Sequence, residues 1–168
     1  MHQGMEAAKR LIPEIGRDFE KKFGRYHGGL IEEYRTDDAE YIVLAMASVG
    51  SEAKVAVDNM REQGFKVGLA RMRVVRPYPD EELRRLGKGR TLIALDRNIS
   101  VGSGGWMYHE TRSAVMGVEG CTVYGYLCGV GGRDVTFDDI EGMTKKVMLG
   151  DARHEVVEWW DLKDQGGN

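Results

Sequence analysis

Two dipeptides pair an acid with a guanidinium, Asp96-Arg97 and Arg133-Asp134, and each follows an apolar run. Such pairs can hold an anion or move a proton at an active site, or they can close loops by ion pairing. The residues alone leave both readings open. Arg76 is a third guanidinium in a similar place, just ahead of Pro77 and Pro79. Gly102, Gly104 and Gly105 precede a helical pattern and could offer backbone N–H groups to an anion. The spacing is neither G-x-G-x-x-G nor a phosphate loop with its Lys and Ser/Thr, so a turn into a helix serves equally. Ser51 follows Gly50 and is placed to cap a helix. The four histidines are widely spaced, and Cys121 and Cys128 fall on opposite faces of one strand, which argues against a metal. Trp106, Trp159 and Trp160 read as packing or interface residues rather than a cofactor box.

The elements that position these residues follow from periodicity. Tyr41 to Val49 is nearly unbroken apolar sequence, as expected of a strand covered on both faces. Ala53, Ala56, Val57 and Met60 then repeat at helical spacing, and Gly64 is placed to stop that helix. Lys66 to Val75 reads as a second strand; its odd positions change from Val67 and Leu69 to Arg71 and Arg73, so one face becomes basic. Asp80 is positioned to cap a short helix, Glu81 to Leu86. Thr91 to Leu95 is a third strand, with a helix from Trp106 to about Met116. Cys121 to Cys128 is a fourth strand. Thr136 and Asp139 have capping-box spacing ahead of a helix with Phe137, Ile140, Thr144 and Val147 on one side. Leu30 to Tyr34 reads as a short edge strand and Val156 to Trp160 as a docked final one. Residues 163–168 should fray.

Alternating strands and helices predict an α/β domain of three layers, α/β/α, with a mostly parallel sheet. In such sheets the loops at the carboxyl ends of the strands carry function. Here those loops are Val49–Ser51, Arg76–Pro79, Asp96–Gly105 and Gly129–Asp134. Gly131-Gly132 offers no side chain to a core and predicts a tight, exposed turn, whose neighbours Arg133 and Asp134 would join Arg76, Asp96 and Arg97 in one network or interface. Residues 1–29 form a separate helical arm or connector, with Ala8, Ile12, Ile15, Phe19 and Phe23 on one stripe. Pro13 implies a kink, or a helix that starts near Ile12. The stripe either packs on its own domain or docks on another.

Composition sets the bounds. In 168 residues, 42% hydrophobic content supports one core domain, taken as 30–162, with an arm and a tail. A net charge of −3 argues against a nucleic-acid partner held by a basic surface. No apolar run is long enough to cross a membrane, and the start has no signal-peptide pattern. Two cysteines without metal spacing fit a reducing, cytoplasmic setting.

Four stretches in order then become informative: Ala45-Met46-Ala47-Ser48, Arg76-Pro77-Tyr78-Pro79, Leu95-Asp96-Arg97-Asn98 and Gly129-Val130-Gly131-Gly132-Arg133-Asp134. Together they resemble the C-terminal domain of the α subunit of 2-oxoacid:ferredoxin oxidoreductases, of which pyruvate:ferredoxin oxidoreductase (pyruvate synthase) is one. The resemblance runs from about Glu32 to Gly150, and Met5 to Arg25 resembles the helical connector before that domain. It implies a fold like the transketolase C-terminal domain. It also implies a complex that oxidatively decarboxylates a 2-oxo acid on thiamine diphosphate with magnesium, passes electrons through iron–sulfur clusters to ferredoxin, and forms an acyl-CoA.

The implied partners are a pyrimidine-binding domain, a diphosphate-binding subunit and an iron–sulfur subunit. No Gly-Asp-Gly with a later Asn and no cysteine array occurs here, so the expectation is that no catalytic, cofactor or metal residue lies in this chain. Ser51, Arg76, Asp96, Arg97, Gly131, Gly132, Arg133 and Asp134 remain candidate interface or loop residues. Ala47 stands where the family shows glycine, a departure expected to matter little. The chain is expected to be a split subunit or a fragment that supports assembly and the cofactor cleft. The rival expectation is a free-standing α/β module for a small anion or a protein partner.

Overall fold

The apolar run at Tyr41 forms β2 (Tyr41–Met46), which lies inside a six-stranded sheet. The computed structural model describes residues 2–161. In chain order the remaining elements are α1 (His2–Phe23), β1 (Ile31–Tyr34), α2 (Val49–Glu62), β3 (Val67–Met72), α3 (Asp80–Gly87), β4 (Thr91–Asp96), α4 (Trp106–Ala114), β5 (Thr122–Leu127), α5 (Phe137–Met148) and β6 (Val157–Trp159). The sheet order is β1-β3-β2-β4-β5-β6. All neighbours are parallel except β1, which pairs antiparallel with β3 and places Glu32 opposite Arg71.

Alternation along the strands builds two cores. Val43, Ala45, Val67, Leu69, Ile93, Leu95, Tyr126 and Cys128 pack under α2 and α5. Ile42, Leu44, Ala70, Met72, Leu92 and Ala94 pack under α3 and α4, with Cys121 at the edge of that cluster. This is the expected three-layer arrangement, and the two free cysteines lie on opposite faces. Gly125 fits the close passage of α4: a Cβ there would lie 2.4 Å from the Tyr108 ring.

Several boundaries differ from the periodicity. The run from Tyr41 stops pairing at Met46, because Ala47 turns to φ 50° and the helix begins at Val49. Ser51 is therefore inside the first turn and caps nothing; Ser48 is the N-cap residue, without a side-chain bond. Asp80 likewise is the first residue of α3 rather than its cap, and it accepts from Lys9 Nζ at 2.6 Å instead. Other ends match. Gly64 has φ 89°, and Phe65 N–H donates to the Met60 carbonyl to close α2. Thr136 and Asp139 make a full capping box. β6 docks as a parallel edge strand.

α1 is one helix from His2, with Pro13 inside it, so the start near Ile12 is not observed. Ala8 and Ile12 are half-buried, but Ile15, Phe19 and Phe23 are exposed, at 64%, 39% and 59%. The domain thus covers only part of the stripe. The tail at 163–168 lies outside the described residues.

Candidate functional site

Chain connections leave β2 and β4 in opposite directions across the sheet, so the gap between their carboxyl ends is a topological switch point. A cleft of about 210 Å³ opens there, lined by Met46–Val49 and Leu95–Asn98. Two of the predicted site residues, Asp96 and Arg97, border it.

Asp96 is 1% exposed and makes no ion pair among the described residues. Its carboxylate instead accepts from the first N–H groups of α4: Met107 N to Oδ1 at 2.9 Å and Tyr108 N to Oδ2 at 3.0 Å. Asn98 holds the next donor, with Trp106 N at 3.3 Å from its Oδ1. Unpaired donors at a helix start carry partial positive charge, which suits a carboxylate. Burial nevertheless dominates and raises the Asp96 pKa above its ordinary range, against those hydrogen bonds. Gly105 makes the contact possible, since a Cβ on it would lie 2.2 Å from Asp96 Oδ2. Of the two readings of the Gly102–Gly105 turn, the structure shows the turn into a helix, with an internal carboxylate at the helix start. That turn is a helix entry sealed by Asp96, which occupies the Met107 and Tyr108 N–H groups an external anion would need.

The expected arginine cluster is dispersed. Arg76 pairs with Glu110 at 2.7 Å and lies over the Trp106 ring at 5.2 Å, while Tyr78 meets Trp106 edge-on. Arg97 donates to the carbonyls of Arg133, at 3.2 Å, and Gly129, at 3.5 Å. It fastens the Gly129–Asp134 loop by its backbone and pairs with no carboxylate among the described residues. Arg133 turns away to Asp161 at 2.7 Å. Asp134 is exposed and has no ion-pair partner among the described residues. Gly131 and Gly132 have φ 76° and 83° with open space around them, as an exposed turn requires. The structure thus brings Arg97 and the Arg133 backbone together, and sets Arg76, Asp96 and Ser51 in separate surroundings.

Two features escaped the sequence. Ala47 has φ 50°, a conformation that disfavours a side chain by about 1–2 kcal/mol, so this alanine places strain at the switch point. Its carbonyl accepts from Arg71 Nη2 at 2.8 Å, and Arg71 reaches it by passing beneath Gly50, where a Cβ would collide at 2.8 Å. The signal was the pair Gly50 and Arg71, separated by a crossover and legible only once β3 is placed beside β2.

The second feature is a serine–histidine contact, Ser103 Oγ to His109 Nε2 at 3.2 Å. The same Nε2 also meets the Ser103 carbonyl, which requires it to donate. A donating Nε2 cannot take the hydroxyl proton, so the pair is not a nucleophile with its base. Among the described residues no three His, Cys, Asp or Glu side chains are grouped to hold a metal. With Asp96 engaged by α4 and the cysteines on opposite faces, the residues present do not fit a magnesium diphosphate or an iron–sulfur cluster.

Residues 39–140 match the family model for pyruvate:ferredoxin oxidoreductase core domain II. The chain belongs to this family. Pyruvate synthase subunit PorA of Pyrococcus horikoshii is 42% identical over 166 residues, covering 96% of this chain and 42% of the relative. The PorA of Pyrococcus abyssi is 38% identical over 168 residues, covering 97% and 42%. Ketoisovalerate oxidoreductase subunit VorA of the same organism is 36% identical over 163 residues, covering 94% and 41%. This core domain II chain therefore spans less than half the length of the curated relatives it matches. A solved 2-oxoglutarate:ferredoxin oxidoreductase from Magnetococcus marinus, with 2-oxoglutarate, coenzyme A and succinyl-CoA bound, shares the fold. Its TM-score is 0.55 at 18% identity, over 77% of this chain and 21% of that one.

Proposed function

We propose that this chain is the C-terminal α-subunit domain of a 2-oxoacid:ferredoxin oxidoreductase that works in the cytoplasm. The whole complex oxidises a 2-oxo acid with CoA, forms the acyl-CoA and reduces ferredoxin. Thiamine diphosphate, magnesium and iron–sulfur clusters belong to its other parts. The observation that carries this reading is similarity to PorA and VorA subunits along 94–98% of the chain. Pyruvate is the substrate this reading favours, supported by PorA relatives that reach 42% identity against 36% for the VorA relatives.

The domain, 30–162, supports assembly and the cofactor cleft through its partners, and the arm at 1–29 is its connector. The exposed half of the α1 stripe supports that role: Ile15, Phe19 and Phe23 are large apolar groups that a partner domain would cover. The partners are the pyrimidine-binding domain, the diphosphate-binding subunit and the iron–sulfur subunit.

The test is reconstitution. The chain joined to those partners should give CoA-dependent ferredoxin reduction with pyruvate and less with 2-ketoisovalerate. Alone it should give none. Calorimetry on the isolated chain should detect no thiamine diphosphate binding in the presence of magnesium. A micromolar dissociation constant, roughly −8 kcal/mol, would overturn the reading.

A further inference from the structure

At the edge of the sheet, three cations share one carboxylate. Glu32 on β1 receives Lys54 from α2, Arg73 Nη1 at 3.4 Å, and Arg71 Nη1 at 3.7 Å from the facing strand position. The group is partly enclosed: the three cationic side chains are 35%, 30% and 20% exposed and Glu32 is 23% exposed. Arg71 also spends Nη2 on the Ala47 carbonyl. Among the described residues, the Arg73 side chain contributes only its long contact to Glu32, and most of its planar fork has no acceptor there. A cleft of about 300 Å³ lies against these arginines, bounded by Met46, Ala47, Met72 and the exposed Val75.

Charge is locally unbalanced in a chain whose net charge is −3. Three positive charges face one negative charge with much of their hydration removed, so repulsion within the group is less screened than on an open surface. A second carboxylate would balance two cations instead of one and give Arg73 a two-point partner.

We propose that the cleft beside Arg71 and Arg73 is a docking site for an acidic side chain of a partner subunit. Val75 and Met46 supply apolar contact beside the charge, the mixture typical of a protein interface in which arginine anchors a partner. An Asp or Glu on a protruding loop of the partner enters beside Arg73 and pairs with its free N–H groups.

The inference rests on the assembly proposed above, and one experiment separates the two. The chain is titrated with the other oxidoreductase subunits, and binding is measured at rising salt. Arg73→Glu should weaken binding at least tenfold at low salt, with the gap narrowing as salt rises, because the lost attraction is electrostatic. Arg73→Lys keeps the charge but loses the two-point fork, so it should weaken binding by less than Arg73→Glu, and Lys88→Glu, on the exposed turn after α3, should change little. A matching Glu→Arg or Asp→Arg change in the partner should restore binding to Arg73→Glu.

If wild type and Arg73→Glu bind alike while both melt normally, the docking site is overturned and the assembly stands. If wild type binds none of the subunits, both proposals fall. Micromolar binding of inorganic phosphate that Arg73→Glu abolishes, with assembly unchanged, assigns the cleft to a small anion and overturns the partner reading.

Discussion

Asp96 and Glu32 are carboxylates that solve the same problem in opposite ways. Asp96 lies at the centre of the sheet's carboxyl edge, buried, without an ion pair among the described residues, and satisfied by backbone donors of α4. Glu32 lies at the sheet's margin, partly hydrated, among more cations than it can neutralise. Fixed backbone donors cannot leave when the structure breathes, so Asp96 locks β4 to α4. Long side chains can reorient, so the Glu32 group is free to exchange partners. The central carboxylate is structural, whereas the marginal one belongs to a surface with charge to spare.

The contrast breaks first at Asp96. Asp96→Ala should destabilise the domain by about 3–5 kcal/mol, because two buried N–H groups lose their acceptor and a cavity remains. Thermal melting should drop by roughly 10 °C. A drop under about 3 °C would mean that water replaces the carboxylate without loss. Gly105→Ala should follow at about 2–3 kcal/mol, since the new methyl must displace Asp96 from the helix start.

Ala47→Gly reverses the sign. Relief of the φ 50° conformation should stabilise by about 0.5–1 kcal/mol, less than the full steric term because glycine also loosens the unfolded chain. Denaturant midpoints would show it, and a loss of stability would place the favourable contacts of the Ala47 methyl above its strain.

Glu32→Gln should have the smallest effect, under about 1 kcal/mol at neutral pH, since its partners are partly solvated. Its pH dependence distinguishes the two carboxylates. Burial pushes the Glu32 pKa up, but Lys54, Arg71 and Arg73 outweigh burial and hold it below its ordinary 4.5. Its stabilising contribution is therefore present above pH 4.5 and is lost as pH falls through the lower folded value. The gap between wild type and Glu32→Gln should close in that acidic range. Asp96 has the opposite sign: its raised pKa makes the folded state the better proton acceptor, so this group favours folding more as pH falls towards its ordinary 3.8. Urea unfolding of wild type and Glu32→Gln from pH 7 to 3.5 reads the closing gap directly.

Local pattern determined a large part of this protein. The apolar run at Tyr41, the helical repeat from Ala53, the stop at Gly64 and the box at Thr136 and Asp139 each depend on neighbours within a turn or a strand. Such features are written in the order of residues, and so were the three layers and the two faces that separate Cys121 from Cys128. The four stretches that suggested the family lie at or beside the carboxyl ends of strands, where backbone geometry limits which residues fit.

Which charges meet was decided by tertiary structure alone. Asp96 finds its donors eleven and twelve residues ahead, Arg97 finds the carbonyl of Arg133, and Glu32 meets Arg71 only because β1 runs antiparallel to β3. A long charged side chain can reach many places from one backbone position, and sequence neighbours do not choose among them. Strand order and helix entry choose, because they fix which groups are buried together and must therefore be paired.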